Sequence, residues 1–578
     1  MAASRCLRCN VAASSPKRQN LLTTLLSACL TQAPRRGFRE IYDDSGSISQ
    51  KKVSSDEVNK RIFENEFLCF PRNKCVGFTA NQLGVNRPVE DRWSAYRIGG
   101  AMCFDMHEGF YNSLHPMAPF SDEFSGGHLF TVVDGHAGHT CAHAVNMLHA
   151  DYVTAALAPQ HLVKPIYNAL SQHDFSRAPP QASELAQPYL MDPCAVMTSS
   201  ADDPDSATGP FAHDDRYLDW RLWGQWGPLD AQVNQRRLSN IHLMLKERFL
   251  TTNCDAIGDC VLHANGNVYD GEGFLVSEGS EFPSADLQVI SAMASALRTG
   301  LARMDTDITA DAVPHPERGL NKSLLRIVLS GCVATSIFIP ADFSSIYVLQ
   351  VGDCGAVMGR YLGQSKGTAE PTVALRKKFH PADWSAELLV PPHNASNVRD
   401  VERLQSQHPI HEASLMIVED RLLCELIPLR AFGDIRYKMP AKILQNIARL
   451  CGLPPNYPVT PRLYTSPPYL FSTPQVVCRR LDKARDLFVI LATDGLWDML
   501  TPEQAVNVVA QHYIDYKGNP SNAGPRDTAA SRLIRTALGG HEMDTSRIAM
   551  HLSVPSNMAR FYRDDITVQV VYPTRTPS

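Results

Sequence analysis

Leu129-Phe130-Thr131-Val132-Val133-Asp134-Gly135-His136 is the stretch on which the reading of this chain turns. The apolar, valine-rich run is short and ends in turn residues, which predicts a buried strand rather than a helix. An acid follows it directly. A carboxylate at the end of a buried strand is held rigidly where backbone gives way to solvent, and the neighbouring glycine lets the chain turn sharply with its carbonyl accessible. The arrangement recurs. Phe488–Leu491 leads to Asp494-Gly495, with Asp498 four residues on. Arg563-Asp564-Asp565 directly precedes the strand-like Ile566–Tyr572, and Glu90-Asp91 follows another apolar–polar stretch.

Aspartates brought together repel one another unless a cation sits between them. Hard oxygen ligands with no cysteine or histidine set nearby suit magnesium or manganese. A pair of such ions can share and activate a water while holding a phosphoryl group for in-line attack. Taken singly these signals have plain readings: Asp-Gly is a common turn, Asp498 fits a charge on a helix side, and His136 fits a structural histidine. The recurrence of acid after strand carries the chemistry.

Outward from these motifs, Ile346–Val351 reads as a further strand, and Ile566, Val568 and Val570 alternate with Thr567 and Gln569 as in a strand with one buried face. Thr501-Pro502-Glu503-Gln504 is a capping box with proline at the first helical position, followed by Val506, Val509 and Ala510 on one face. Ser284 is placed to cap a helix carrying Leu287, Ile290, Leu297 and Leu301. Ala529–Leu538 stops at Gly539-Gly540, and Val145, Leu148 and Tyr152 mark a helix behind Asp134. No internal repeat of fixed period is present. Residues 100–127 and 192–230 lack periodicity and read as insertions, functional or variable surface loops.

Of the 578 residues, 44% are hydrophobic and 20% charged, and the formal net charge is -5. No global basic field for nucleic acid follows from that balance, and Arg376-Lys377-Lys378 reads as a solvated turn. The 15 cysteines are scattered and odd in number, which favours reduced thiols over a disulfide framework. Cys6 and Cys9 form a single CxxC with no second pair to close a zinc site. Before Glu40 there is no acid, while Arg5, Arg8, Lys17, Arg18, Arg35, Arg36 and Arg39 are basic among serine, threonine, alanine and leucine. Residues 1–39 therefore read as a mitochondrial presequence. A secretory signal is the rival, since Leu21–Leu30 is apolar, but threonine and serine interrupt it and Arg35-Arg36 follows. Residues 40–60 are polar and read as a linker, 61–575 as one catalytic domain with the two insertions. No apolar run reaches the 18 or so residues of a transmembrane segment.

In order, Val89-Glu90-Asp91-Arg92, Val133-Asp134-Gly135-His136-Ala137-Gly138, Ser330-Gly331-Cys332-Val333-Ala334-Thr335, Val351-Gly352-Asp353, Arg430-Ala431-Phe432-Gly433-Asp434, Ala492-Thr493-Asp494-Gly495-Leu496-Trp497-Asp498 and Asp564-Asp565-Ile566-Thr567-Val568 resemble the metal-dependent (2C-type) serine/threonine phosphatases. The resemblance spans about residues 68–573 and narrows to the mitochondrial pyruvate dehydrogenase phosphatase branch. Asn81-Gln82-Leu83, Asp420-Arg421-Leu422-Leu423, Pro467-Pro468-Tyr469-Leu470 and Met558-Ala559-Arg560-Phe561-Tyr562 carry that narrowing.

The resemblance implies an α+β fold, a central sandwich of two β-sheets flanked by helices on both sides. It implies that Asp134 bridges two Mg2+ or Mn2+ ions, with the Gly135 carbonyl and Glu90 or Asp91 completing one shell, partly through water, and Asp494 and Asp564 holding the other ion. His136 would be the general acid, and Asp353 and Asp498 would hold a weaker third ion. Where many members carry a phosphate-binding arginine, this chain has Asn86 followed by Arg87, the candidates for substrate binding. Cys354-Gly355 replaces the usual serine-arginine after Asp353, and Asp565 stands where asparagine is frequent. By resemblance the substrate would be phosphoserine on the pyruvate dehydrogenase component, in the mitochondrial matrix. The partners would be the lipoyl-bearing core of that complex, with Ca2+ assisting docking, and a regulatory subunit. An inactive scaffold of the same fold, the alternative, predicts loss of the metal carboxylates, yet Asp134, Asp494 and Asp564 are all present. A phosphatase acting on another phosphoprotein is the other alternative.

Overall fold

The computed structural model describes residues 53–70, 76–86, 88–98, 126–158, 163, 167, 187–188, 227–250, 259–316, 319–363, 379–524 and 526–573. The presequence, Cys6 and Cys9, Arg87, Arg376–Lys378 and nearly all of both insertions lie outside the described residues. No helix among the described residues is long and apolar enough to cross a membrane.

Thirteen strands bear on the site: β1 (Phe67–Cys69), β2 (Gly77–Leu83), β3 (Arg92–Ile98), β4 (Gly127–His136), β5 (Gln187–Pro188), β6 (Gly331–Pro340), β7 (Ser345–Val351), β8 (Gly355–Tyr361), β9 (Trp384–Leu388), β10 (Phe432–Gly433), β11 (Gln475–Arg480), β12 (Asp486–Ala492) and β13 (Ile566–Tyr572). They form two antiparallel sheets. One runs β1-β2-β13-β12-β8-β9; the other runs β11-β7-β6-β4-β3-β5, with β10 also paired to β6. A small third sheet of Val261–Leu262, Val268–Tyr269 and Leu275–Ser277 packs against the β11 edge, and its Val268 and Val276 join the core.

The sheets face each other across an apolar layer of Phe78, Trp93, Phe130, Val132, Ile337, Val348, Val489, Leu491 and Val571. Alternate residues of the same strands face outward. Leu129, Phe338 and Leu349 pack under α2 (Thr140–Leu157), α3 (Gly227–Leu250), α4 (Asp286–Ala312) and α5 (Lys322–Leu329). Ile490, Ile566, Val568 and Val570 pack under α1 (Ser55–Phe63), α6 (Pro502–Asp515), α7 (Ala529–Gly539) and α8 (Thr545–Ser553). The period-two alternation thus feeds two different cores, and the architecture is the α+β sandwich of helices, two sheets and helices.

Three expectations need correction. The 40–60 stretch is not a linker throughout: Ser54 accepts from the Glu57 N–H and starts α1, which buries Val58 and Ile62. Ser284 is not the cap of α4; Ala285 occupies that position without a side-chain cap. In β13 both faces are buried, and Thr567 and Gln569 point between the sheets. They are tolerated there because they are bonded: Gln82 Nε2 donates to Thr567 Oγ1 at 3.0 Å, and Gln569 Nε2 donates to the Ser94 carbonyl at 3.1 Å. By contrast α6 has the full capping box at Thr501 and Gln504, and α7 ends at Gly540 with φ 75°. Helix α2 is buried on every face because a sheet lies below it and α4 and α5 lie beside it.

Register sets where the strands end. Asp134, Gly135 and His136 pair with Val333, Cys332 and Gly331 at the start of β6. Ala492 at the end of β12 pairs with both Gly355 of β8 and Val568 of β13. The turns carrying Asp134, Asp353, Asp494 and Asp564 are therefore gathered at one end of the sandwich.

Candidate metal centre

A cavity of about 190 Å³ opens at that end. Its wall includes Asn86, Glu90, Asp134, Gly135, His136, Asp353, Asp494 and Asp564. Five carboxylates from separate stretches of the chain thus meet in one concave space. Leu426, Ile427, Pro428 and Phe561 add an apolar side, and Arg421 and Arg560 add positive charge.

Each acid is aimed by its own local structure. Asp134 is the first residue past the buried Leu129–Val133 run to become partly exposed. Gly135 is sterically fixed: a Cβ there would fall 2.6 Å from the Glu90 carbonyl oxygen, so the 90-loop closes onto β4 only against glycine. Asp494 opens the short helix Asp494–Trp497. Glu90 is held by the Gly138 N–H, which donates to Oε1 at 2.9 Å. Asp353 follows Gly352, whose φ of 95° turns the chain between β7 and β8.

Asp565 acts as the clamp of this region. Its carboxylate accepts from the backbone N–H groups of Val85 (2.5 Å), Asn86 (2.9 Å) and Glu90 (2.8 Å), tying the 85–90 loop to the start of β13. Asn86 closes the clamp, its Nδ2 donating to Asp564 Oδ1 and to Asp565 Oδ2, both at 3.2 Å. His136 is held by a second clamp. Its Nε2 lies 2.5 Å from Asp434 Oδ2, and a Cβ on Gly331 would collide with both partners, so the pair lies across β6 where only glycine fits. Asp434 reaches this position through left-handed backbone, with φ 69° at Gly433 and 51° at Asp434 itself.

Burial and neighbouring carboxylates raise the proton affinity of Glu90 and Asp134. Burial, then Asp565 and Asp564, push the Glu90 carboxyl up to about 7. Burial, then Asp494, Asp91, Asp564 and Asp353, raise Asp134 well above the carboxylate range. Burial also lowers the basicity of His136, but the Asp434 carboxylate and its hydrogen bond outweigh that and leave the imidazole above its usual value. Closely placed carboxylates thus make Glu90 and Asp134 harder to ionise, which a cation bound among them would reverse.

The donor set fits hard divalent cations: carboxylate oxygens and the Gly135 carbonyl, with no thiolate among the lining residues. Among the described residues no group of three or more His, Cys, Asp or Glu side chains already stands close enough to enclose one ion.

Of the residues expected from sequence, Glu90, Asp134, Gly135, His136, Asp353, Asp494, Asp564 and Asn86 line this cavity. Asp91 does not. It is buried one layer behind, accepting from Thr493 Oγ1 at 2.9 Å, so of the Glu90-Asp91 pair it is Glu90 that faces the cavity. Asp498 also lies outside the wall, its N–H bonded to the Asp494 carbonyl at the end of the short helix. Asn86 is at the wall, but its amide is engaged by Asp564 and Asp565. Sequence reasoning missed the clamp roles of Asp565 and Asp434, and Arg421 and Arg560 as wall residues. All four stand inside or beside the quoted motifs.

Residues 280–545 match the protein phosphatase 2C family. The chain is 28% identical over 531 residues to the human mitochondrial [pyruvate dehydrogenase [acetyl-transferring]]-phosphatase 2, covering 86% of this chain and 78% of that protein. It is 27% identical over 536 residues to the bovine mitochondrial [pyruvate dehydrogenase [acetyl-transferring]]-phosphatase 1, covering 86% and 77%. Against the crystal structure of a serine-threonine phosphatase 2C from Toxoplasma gondii the TM-score is 0.34 at 14% identity, over 88% of this chain and 98% of that one.

Proposed function

Starting from a chain that belongs to the protein phosphatase 2C family, and is thus a protein serine/threonine phosphatase of a metal-dependent family, we propose that it removes phosphate from phosphoserine on the pyruvate dehydrogenase component. The observation that carries the catalytic part is the convergence of Asp134, Asp494, Asp564 and Glu90 with His136 in one cavity. In this reading the cavity would hold two Mg2+ or Mn2+ ions, Asp134 serving both. The Gly135 carbonyl and Glu90 would serve one ion and Asp494 and Asp564 the other, with Asp91 acting from behind through water. Asp353 is the candidate for a third ion. Bound cations supply charge neutralisation for the phosphoryl group and acidify water.

The protein's own residues do the rest. Asp565 and Asn86 fix the loop that presents Glu90. Asp434 holds Nε2 of His136, which leaves Nδ1 to hand a proton to the serine oxygen as its bond to phosphorus breaks and water oxygen takes its place. The products are serine and orthophosphate. Leu426, Ile427 and Pro428 give the cavity one apolar side.

The choice of substrate is supported by the printed activities of the two relatives and by the basic, acid-free leader, which also supports a mitochondrial matrix location. Docking on the lipoyl-bearing core and pairing with a regulatory subunit belong to the same proposal. The test is an assay of the purified chain on phosphorylated pyruvate dehydrogenase component and on an unrelated phosphoprotein, with magnesium or manganese. Preference for the former by tenfold or more in kcat/KM is expected. Equal rates would remove the substrate assignment and leave the phosphatase.

A further inference from the structure

An acidic cavity that is to admit a phosphate dianion needs positive charge at its mouth as well as between its carboxylates. The sequence places Asn86 and Arg87 where such a group is expected, and the Asn86 amide is already bonded to Asp564 and Asp565. Two guanidinium groups reach the cavity wall from elsewhere, Arg421 and Arg560. Arg421 is tied to its own loop, its Nη1 donating to the Glu425 carbonyl at 2.9 Å. That loop has left-handed backbone at Glu419, Asp420, Leu423 and Cys424 and builds the Leu426–Pro428 wall.

Arg560 is placed differently. It closes the short helix Ser556–Ala559 as its C-terminal cap, four residues before Asp564. The turn is set by the N–H groups of Tyr562 (2.9 Å) and Arg563 (3.0 Å), which both donate to the Ala559 carbonyl, and Ala559 is itself buried. Within it Arg563 turns into the protein, while Arg560 emerges exposed at the cavity rim beside the half-exposed Phe561. Among the described residues Arg560 makes no ion pair. An exposed guanidinium next to this acidic turn is available to a ligand that the neighbouring carboxylates alone would repel, and its planar donor fork matches a phosphoryl group.

We propose that Arg560 binds the phosphoryl dianion of the incoming phosphoserine, replacing the contact that Asn86 is not free to make. The assignment rests on the phosphatase reading for its substrate, but the contact is to the phosphoryl group itself and so extends to orthophosphate.

That extension supplies the test. Orthophosphate binding to the full chain with Mg2+ present is measured by calorimetry, and KM is measured on a phosphoserine peptide and on p-nitrophenyl phosphate. Arg560→Ala is expected to weaken orthophosphate about tenfold and to raise KM on both substrates similarly, with partial recovery in Arg560→Lys. Thermal unfolding of each variant checks that the fold is retained. Unchanged orthophosphate affinity in Arg560→Ala would overturn the proposal, including the case in which only the peptide KM rises and Arg560 is a peptide contact. A chain that binds orthophosphate through Arg560 yet hydrolyses neither substrate would support the contact while removing the phosphatase reading.

Discussion

A partly exposed cluster of charge and a buried one behave in opposite ways in this molecule. At the cavity, Asp134, Glu90, Asp494 and Asp564 line one space, and burial with neighbouring carboxylates raises the proton affinity of Asp134 and Glu90. Beneath the small sheet, Asp400, Glu272 and Asp270 are interleaved with Arg298, Arg403 and Arg430. Arg430 donates to Asp400 at 2.7 Å and Arg403 at 2.8 Å, Arg298 meets Asp270 at 2.7 Å, and Arg430 and Asp400 are both fully buried. Burial alone would raise the Asp400 carboxyl, yet Arg430, with Arg403 also contributing, drives it below the usual range. The cavity acids are partly exposed, whereas Asp400 and Arg430 are fully enclosed. In one cluster arginines are interleaved with the acids and serve the fold; in the other, carboxylates from five stretches of the chain line a single open cavity.

The sharpest way to break that contrast is to neutralise one acid in the cavity. Asp134→Asn should lower turnover by about a thousandfold or more, since it removes the acid shared between the proposed ions. In chelator the same variant should unfold at the same or a higher urea concentration than the unaltered chain, because a repulsion has been removed. A clear fall in the urea midpoint would mean that Asp134 is a structural acid after all.

The converse change belongs to the second cluster. Arg430→Ala leaves Asp400 buried beside fewer counter-charges and should destabilise the chain by about 3–5 kcal/mol, read from the urea midpoint. Arg430 also opens the stretch that ends in Asp434, so activity should fall in step with the folded fraction. A stable Arg430→Ala protein would show that the network is redundant.

How much of this was legible beforehand differs between the clusters for a physical reason. The cavity acids follow strands whose alternation is visible, and β13 begins and ends where its pattern does. The paired cluster is assembled from the small third sheet, a helix and a loop with no local pattern linking Asp270, Asp400 and Arg430. Nor could spacing show that Glu90 rather than Asp91 faces the cavity, since adjacent residues swap faces with a small change in the loop. Asp434 reaches His136 only through two successive left-handed residues, Gly433 and Asp434, a backbone path that composition does not announce. The α1 helix was legible in principle, with Ser54 as cap and Val58 and Ile62 one turn apart, but its polar surroundings read as connector.

His136 stands in the cavity wall with its own carboxylate partner, Asp434. His136→Ala should lower kcat on a phosphoserine peptide by about a hundredfold, and far less on an aryl phosphate whose leaving group needs no proton. Equal losses on the two substrates would show that the ring positions rather than protonates.

The smallest effect tests the paired side through pH. His393 is fully buried, and its neighbours specify the neutral ring: the Gly352 N–H donates to Nδ1 at 3.2 Å, so Nε2 carries the proton toward Gln475 Oε1 at 3.0 Å. Burial, and then the charge of Arg430, lower its pKa to about 3. In the unfolded chain the ring takes up a proton below about 6.5, so between about 3 and 6.5 the unfolded state holds more protons and stability rises with pH. Above that window the contribution is complete and flat. Lowering the pH from 7 to 5 should therefore remove about 2 kcal/mol through this residue. His393→Gln should lose that part of the slope while keeping the stability it has at pH 7 to within the cost of the altered hydrogen bonds. If the slope between pH 5 and 7 is unchanged in His393→Gln, the titrating groups lie elsewhere, and the paired cluster is less closed to protons than its geometry implies.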